Sequence, residues 1–90
     1  MLKLEYATQF KKYFKKVAKL AIEVVVKVGH VIKPLQLGET LSAKYIDHPL
    51  SGNWQSYRDC HVKPVLVLIY KIESNTLKLA KIGNHSQLFH

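Results

Sequence analysis

RDCHVKPVLVLIYKIESNTLKLAKI, residues 58–82, is the stretch that decides the fold. Its centre, Val65 to Ile72, is apolar except for Lys71 and rich in the β-branched and aromatic residues that suit a buried strand. Trp54 to His61 and Thr76 to Ile82 read as strands on either side. Pro64 marks the first junction, and Ser74 and Asn75 form a hairpin turn at the second. Connections this short require antiparallel neighbours, so the C-terminal half is a three-strand meander. The run Val65 to Tyr70 is far shorter than the roughly 20 residues that cross a bilayer.

Working toward the N-terminus, residues 35–53 read as a long loop closing on HPLSGN (48–53), with Pro49, Gly52 and Asn53 as turn formers. IEVVVKV (22–28) is ambiguous. Its β-branched residues and 22/24/26/28 alternation argue for a strand, and the apolar set 22, 25, 26, 32 argues for a helix. Gly29 and Pro34 are expected to weaken or end any helix there. Before it, Thr8 is placed to cap a helix. Phe10, Tyr13, Phe14 and Val17 follow at i, i+3, i+4, i+7, with Lys11, Lys12, Lys15, Lys16 and Lys19 on the outer face. Lysines near a helix N-terminus oppose the macrodipole, so this face is read as a binding surface. LKLEY (2–6) alternates like a half-buried strand. No glycine or proline marks a break between the two helical segments.

Ninety residues are expected to make one domain with a modest core. The 14 basic residues against 6 acidic ones give a net charge of +8 with histidine neutral. That excess suits a polyanionic partner: nucleic acid, anionic lipid or an acidic protein. The single cysteine, Cys60, has no internal partner for a disulfide, which fits a reducing cytoplasm. It reads as a small strand residue rather than a nucleophile. Lys3 and Glu5 interrupt the N-terminus before a secretory apolar region develops.

Four histidines, His48, His61, His85 and His90, follow the helical half, and His30 stands apart within it. His61 and His85 sit at strand exits two strands apart in the meander, where they can converge, and the 35–53 loop can bring His48 to them. Converging imidazoles allow proton transfer near neutral pH, or metal binding. Spacing alone fits three unrelated surface histidines equally well. A metal site is disfavoured, because no histidine pair has i, i+4 helical spacing and no cysteine joins them. No nucleophile elbow or phosphate-cradling glycine loop occurs. Arg58 and Asp59 are expected to form a structural ion pair. Trp54 and Tyr57 read as core-edge aromatics, and Tyr70 as core. Lys81 shares strand phase with Leu77 and Leu79. Phe89 reads as a packing contact or a base-stacking platform.

DHPLSGNW (47–54), YRDCHVKP (57–64), LVLIYKI (66–72) and KIGNHSQLF (81–89), in that order, resemble the YafQ branch of the RelE/ParE superfamily, the toxins of bacterial type II toxin–antitoxin pairs. The resemblance implies an α+β fold over residues 1–90: an N-terminal strand, two helices and a three-strand antiparallel meander in one sheet. It selects the helix for 22–28. It implies a cytoplasmic, ribosome-dependent endoribonuclease that cuts mRNA by attack of a 2′-hydroxyl on the adjacent phosphodiester, without metal or other cofactor. The implied partners are a cognate antitoxin, in a hetero-oligomeric complex, and the ribosome with its mRNA; no membrane is involved. The motif positions His48, His61, Lys81, His85 and Phe89 become the candidate catalytic residues. Lys11, Lys12, Lys15, Lys16 and Lys63 are the expected RNA contacts. Two positions depart from the family pattern. The Asp that usually follows the Pro of H-x-x-P is Val65 here, and the Arg two residues before Gly83 is Lys81, which lacks the guanidinium fork. These changes predict reduced cleavage. The alternatives are a catalytically weak binding protein on the toxin scaffold and a gyrase-targeting ParE-like toxin.

Overall fold

The computed structural model describes residues 1–89, and of Leu20 the backbone only; His90, grouped above with the other histidines, lies outside the described residues. The elements run β1 (Lys3–Tyr6), α1 (Thr8–Leu20), α2 (Ile22–Gln36), β2 (His48–Pro49), β3 (Arg58–Lys63), β4 (Leu66–Glu73), β5 (Thr76–Gly83) and α3 (His85–Phe89). One five-stranded sheet has the order β1-β5-β4-β3-β2. β1 pairs parallel with β5, and the other pairings are antiparallel. Ser74 and Asn75 both have positive φ, 52° and 61°. That is the backbone of a type I′ turn, whose twist matches the strands it joins.

α1 and α2 cover one face of the sheet. Phe10, Val24, Val28, Val31 and Leu35 pack there on Cys60, Val62, Leu66, Leu68, Tyr70, Leu77, Leu79 and Ile82. The other face carries a smaller cluster of Val67, Ile69 and Leu88, edged by Leu50, Trp54, Tyr57 and Ala80. Among the described residues no helix is long and apolar enough to cross a membrane.

Several local expectations are corrected. Ala7, not Thr8, is the N-cap of α1, and no side chain caps that end. The break between helices is Ala21, an extended residue at φ −155°. α2 is a helix, but its buried residues are Val24, Val28, Val31 and Leu35, spaced for one face, while Ile22 and Val26 are exposed. It also runs through Gly29 and Pro34. The amides of Leu37 and Glu39 still bond to the carbonyls of Lys33 and Pro34, and the left-handed Gly38 (φ +80°) follows the helix end. Burial of Val31 and Leu35 on either side holds the helix across the proline. The 35–53 segment is not a plain loop: it holds the end of α2, a 3₁₀ turn at Ala43–Tyr45, and β2. Trp54 belongs to a second 3₁₀ turn, Gly52–Trp54, and Ser56 at φ 78° interrupts extension, so β3 starts at Arg58. Val65 sits in the turn with Pro64, outside β4.

Candidate active site

Period-2 alternation in β3 sorts its side chains between two environments. Cys60 and Val62 point into the helix-side core, where burial pushes the Cys60 thiol up to about 12 and keeps it unreactive. Arg58, paired in register with Tyr70, lies on that side too. Its Nε donates to Asp47 Oδ1 at 3.0 Å, and the Tyr70 hydroxyl lies 2.8 Å from both Asp47 oxygens. Burial, then the Asp47 carboxylate, raises the Tyr70 phenol above its ordinary range. The expected Arg58–Asp59 pair does not form, because neighbouring strand residues face opposite ways. Asp59 faces the open side with His61.

Asp59 is 1% exposed and stands opposite His48 in the β2–β3 register. His48 Nδ1 lies 2.9 Å from the Ile46 carbonyl oxygen and 3.0 Å from Asp59 Oδ1. Both neighbours accept, so Nδ1 carries the proton and, in the neutral ring, Nε2 is the free basic nitrogen. One proton serves the carbonyl, and Asp59 Oδ1 remains buried without a hydrogen bond. Burial raises the Asp59 carboxyl above its ordinary value; His48, His61 and His85 pull it down in turn, and Asp47 adds a small push upward. Asp47, just before β2, and His48, within it, thus tie this edge of the sheet to opposite faces.

The His61 and His85 ring centroids are 6.0 Å apart, and the His85 ring lies 5.0 Å from Phe89. His85 and Phe89 share a face of α3 at i, i+4. A reciprocal cap starts this helix: the Gln87 amide donates to Asn84 Oδ1 (2.8 Å), and the Asn84 amide donates to Gln87 Oε1 (2.9 Å). The same Gln87 oxygen accepts the Tyr13 hydroxyl of α1 at 2.7 Å. A Cβ on Gly83 would meet that oxygen at 3.0 Å, so the glycine leaves room for the cap that sets His85 in place.

Lys81 is not on the face of Leu77 and Leu79. A bulge between β4 and β5 pairs Ile69 with Lys81 and Tyr70 with Leu79, leaving Ala80 as the extra residue. The phase reverses there, so Lys81 joins Ile69 on the open face while Ile82 returns to the core. Its Nζ lies 5.2 Å from the centroid of Trp54, whose ring packs edge-on against Tyr57 at 5.1 Å. The open face therefore gathers Asp59, His61 and Lys81 from the sheet, His48 from its edge and His85 from α3. Among the described residues no group of three or more His, Cys, Asp or Glu is arranged to hold a metal ion.

A family model described as "Bacterial toxin of type II toxin-antitoxin system, YafQ" matches residues 2–90. The chain belongs to the YafQ family. It is 38% identical to the mRNA interferase toxin YafQ of Escherichia coli BL21, over 96% of this chain and 94% of that protein. Two solved structures are similar throughout. The metal-bound toxin from Helicobacter pylori has a TM-score of 0.87 at 38% identity, covering 99% of this chain and all of that one. The E. coli DinJ–YafQ complex has a TM-score of 0.85 at 35% identity, covering all of both chains.

Not every candidate of this YafQ-family chain reaches the histidines. Lys11, Lys12, Lys15 and Lys16 are exposed on α1, whose packed side lies against the helix face of the sheet. Lys12, Lys15 and Lys16, with Lys19, line a groove there. Lys63 pairs with Glu23 at 3.1 Å and lies beside His61 in a separate cleft. Val65 is 74% exposed at the hairpin tip. Sequence reasoning gave no role to Asp47 or Gln87, and paired Asp59 with the wrong partner. The signals were legible: the N-x-x-Q cap at 84–87, and strand parity that separates Arg58 from Asp59.

Proposed function

We propose that this chain is a type II toxin that cuts mRNA on the ribosome in the cytoplasm, with His61 and His85 sharing acid and base duty on the open face of the sheet. Relatives of nearly the same length carry the name mRNA interferase toxin, and the chain is an endoribonuclease of that family. The observation that carries the assignment of residues is the 6.0 Å separation of the His61 and His85 rings. In an in-line displacement the attacking 2′-oxygen and the departing 5′-oxygen lie on opposite sides of phosphorus. Two imidazoles with a gap between them can take the proton from one and supply it to the other. The bond formed is 2′-O to phosphorus and the bond broken is phosphorus to 5′-O, leaving a cyclic phosphate and a 5′-hydroxyl.

Lys81, turned onto this face by the bulge, supplies positive charge to the crowded phosphate. Phe89, 5.0 Å from the His85 ring, offers a platform on which a base can stack. His48 extends the imidazole row along the sheet edge. Asp59 supplies a carboxylate that Val65 lacks: buried with its Oδ1 3.0 Å from His48 Nδ1, it places negative charge beside the imidazoles. An acidic antitoxin segment is the natural partner for the +8 surface, and a relative has been solved as the E. coli DinJ–YafQ toxin–antitoxin complex.

The test is cleavage of mRNA on programmed ribosomes, with both new ends mapped. Fragments ending in 2′,3′-cyclic phosphate and beginning with 5′-hydroxyl are expected. Intact transcripts accompanied by growth arrest and DNA damage would instead point to a gyrase-directed toxin.

A further inference from the structure

His61 belongs to two places at once. Besides the open-face cluster it lines a cleft of about 500 Å³ between α2, the Ala43–Tyr45 turn and the exit of β3. Lys27 and His30 enter from α2, Lys44 from the turn and Lys63 from β3, over the apolar surface of Val62 and Pro64. Among the described residues no carboxylate lines it. Glu23 pairs with Lys63 at 3.1 Å and is held below the usual carboxylate range by Lys63 first and Lys27 after it.

We propose that this cleft holds the RNA backbone next to the scissile phosphate, with Lys27 and Lys44 as phosphate contacts. The inference deepens the ribonuclease reading above and rests on it. Its volume falls in the range of roughly 300–1,000 Å³ typical of ligand sites. With Lys63 paired to Glu23, Lys27 and Lys44 are left to attract a polyanion, and each is a compact charge suited to a phosphate oxygen. Lys27 and His30, at i, i+3 on α2, face the same way. Lys44 also stands 5.1 Å from the Tyr45 ring centroid, which restrains it at the mouth. His61 forms the junction: a strand leaving the acid–base cluster past His61 enters this cleft. Phosphate contacts read no base, so the cleft fixes the register of the RNA without choosing its sequence.

The test uses Lys27→Gln/Lys44→Gln, two exposed positions whose change leaves the core untouched. Binding of a short single-stranded RNA with every 2′-hydroxyl methylated is followed by fluorescence anisotropy across a salt series. Cleavage on programmed ribosomes is measured in parallel. The double variant should bind the blocked RNA about tenfold more weakly or worse, whatever its sequence. Its slope of log affinity against log salt should flatten by about 0.7 per lost contact. In cleavage the loss should fall on KM more than on kcat, and Lys27→Arg/Lys44→Arg should restore most of it. Unchanged affinity, slope and KM overturn the proposal, and so does a defect confined to antitoxin binding. If the wild-type chain binds the blocked RNA through these lysines but cleaves no mRNA, the cleft remains an RNA site and the ribonuclease reading is what fails.

Discussion

On the helix side of the sheet, Leu68, Leu77, Leu79 and Ile82 are fully buried against two helices. On the open side, the same strands present Asp59, His61 and Lys81 over a smaller apolar cluster of Val67, Ile69 and Leu88. Both faces come from alternate residues of one short sequence, yet they hold free energy differently. The first removes apolar surface from water. The second buries a carboxylate with one oxygen lacking a hydrogen bond, an arrangement that costs stability. Substitutions should act accordingly: one face sets whether the chain folds, and the other sets what the fold can do.

The largest effect tests the helix side. Leu79→Ala opens a cavity in the fully buried core and should cost about 2–5 kcal/mol. In a domain of this size that is a large part of total stability. Thermal or urea unfolding measures it. A loss as small as that of an exposed substitution would mean that the helix layer is not the main source of stability.

His85→Ala should separate the faces most cleanly. His85 is exposed on α3, so its loss should barely move the unfolding midpoint, while cleavage should fall about 10²-fold or more. His61→Ala should do the same to cleavage, and either variant should change the shape of the pH–rate profile. Two single variants cleaving at the wild-type rate would remove both residues from the reaction.

Asp59→Asn should move the two quantities in opposite directions. Burial raises the folded-state carboxyl above its ordinary 3.8, against the pull of His48, His61 and His85. A raised acid keeps its proton to higher pH when folded than when unfolded. Its contribution is therefore neutral below 3.8 and becomes a penalty as pH rises through the folded value. The asparagine variant should gain in melting temperature relative to the wild type between acid and neutral pH. Its cleavage should drop roughly tenfold or more, because the amide cannot balance imidazolium charge. A melting difference that stays flat with pH would show that Asp59 is not the titrating group.

The helix-side face was the more legible in sequence, because burial leaves a periodic signal. The apolar run of β4, the Ser74–Asn75 hairpin and the Phe10/Tyr13/Phe14/Val17 stripe all read correctly. The errors cluster where a local irregularity resets the phase. One extra residue at Ala80 carried Lys81 to the other face, and parity counted from Leu77 could not detect it. Ser56, left-handed at φ 78°, ended the extension assumed from Trp54 onward. In α2 a run of valines fits several helical faces, so hydrophobicity alone chose Ile22 and Val26, which the sheet leaves exposed. The closeness of His61 and His85 depends on a five-residue helix, whose signal is a cap rather than a period.

The smallest effect concerns the hairpin tip, where Val65 stands in place of the Asp that the family resemblance implies. The sequence reads Val65 as the start of a buried strand, but the chain turns at Pro64–Val65 and leaves the side chain 74% exposed. An aspartate there would be solvated, and a solvated charge acts on an imidazole with roughly 0.2–1 kcal/mol. Asp59, buried beneath His48 and facing His61 and His85, is the stronger electrostatic neighbour. Val65→Asp should therefore raise cleavage by about fivefold or less, and the gain should shrink at high salt, since exposed pairs are screened. Cleavage by the single variant, by Asp59→Asn and by the double variant forms a cycle that measures how the two carboxylates share the work. If Val65→Asp restores the Asp59→Asn enzyme fully, the tip aspartate reaches the imidazoles and the two positions are interchangeable. If it restores nothing, the carboxylate that counts is the buried one on the open face.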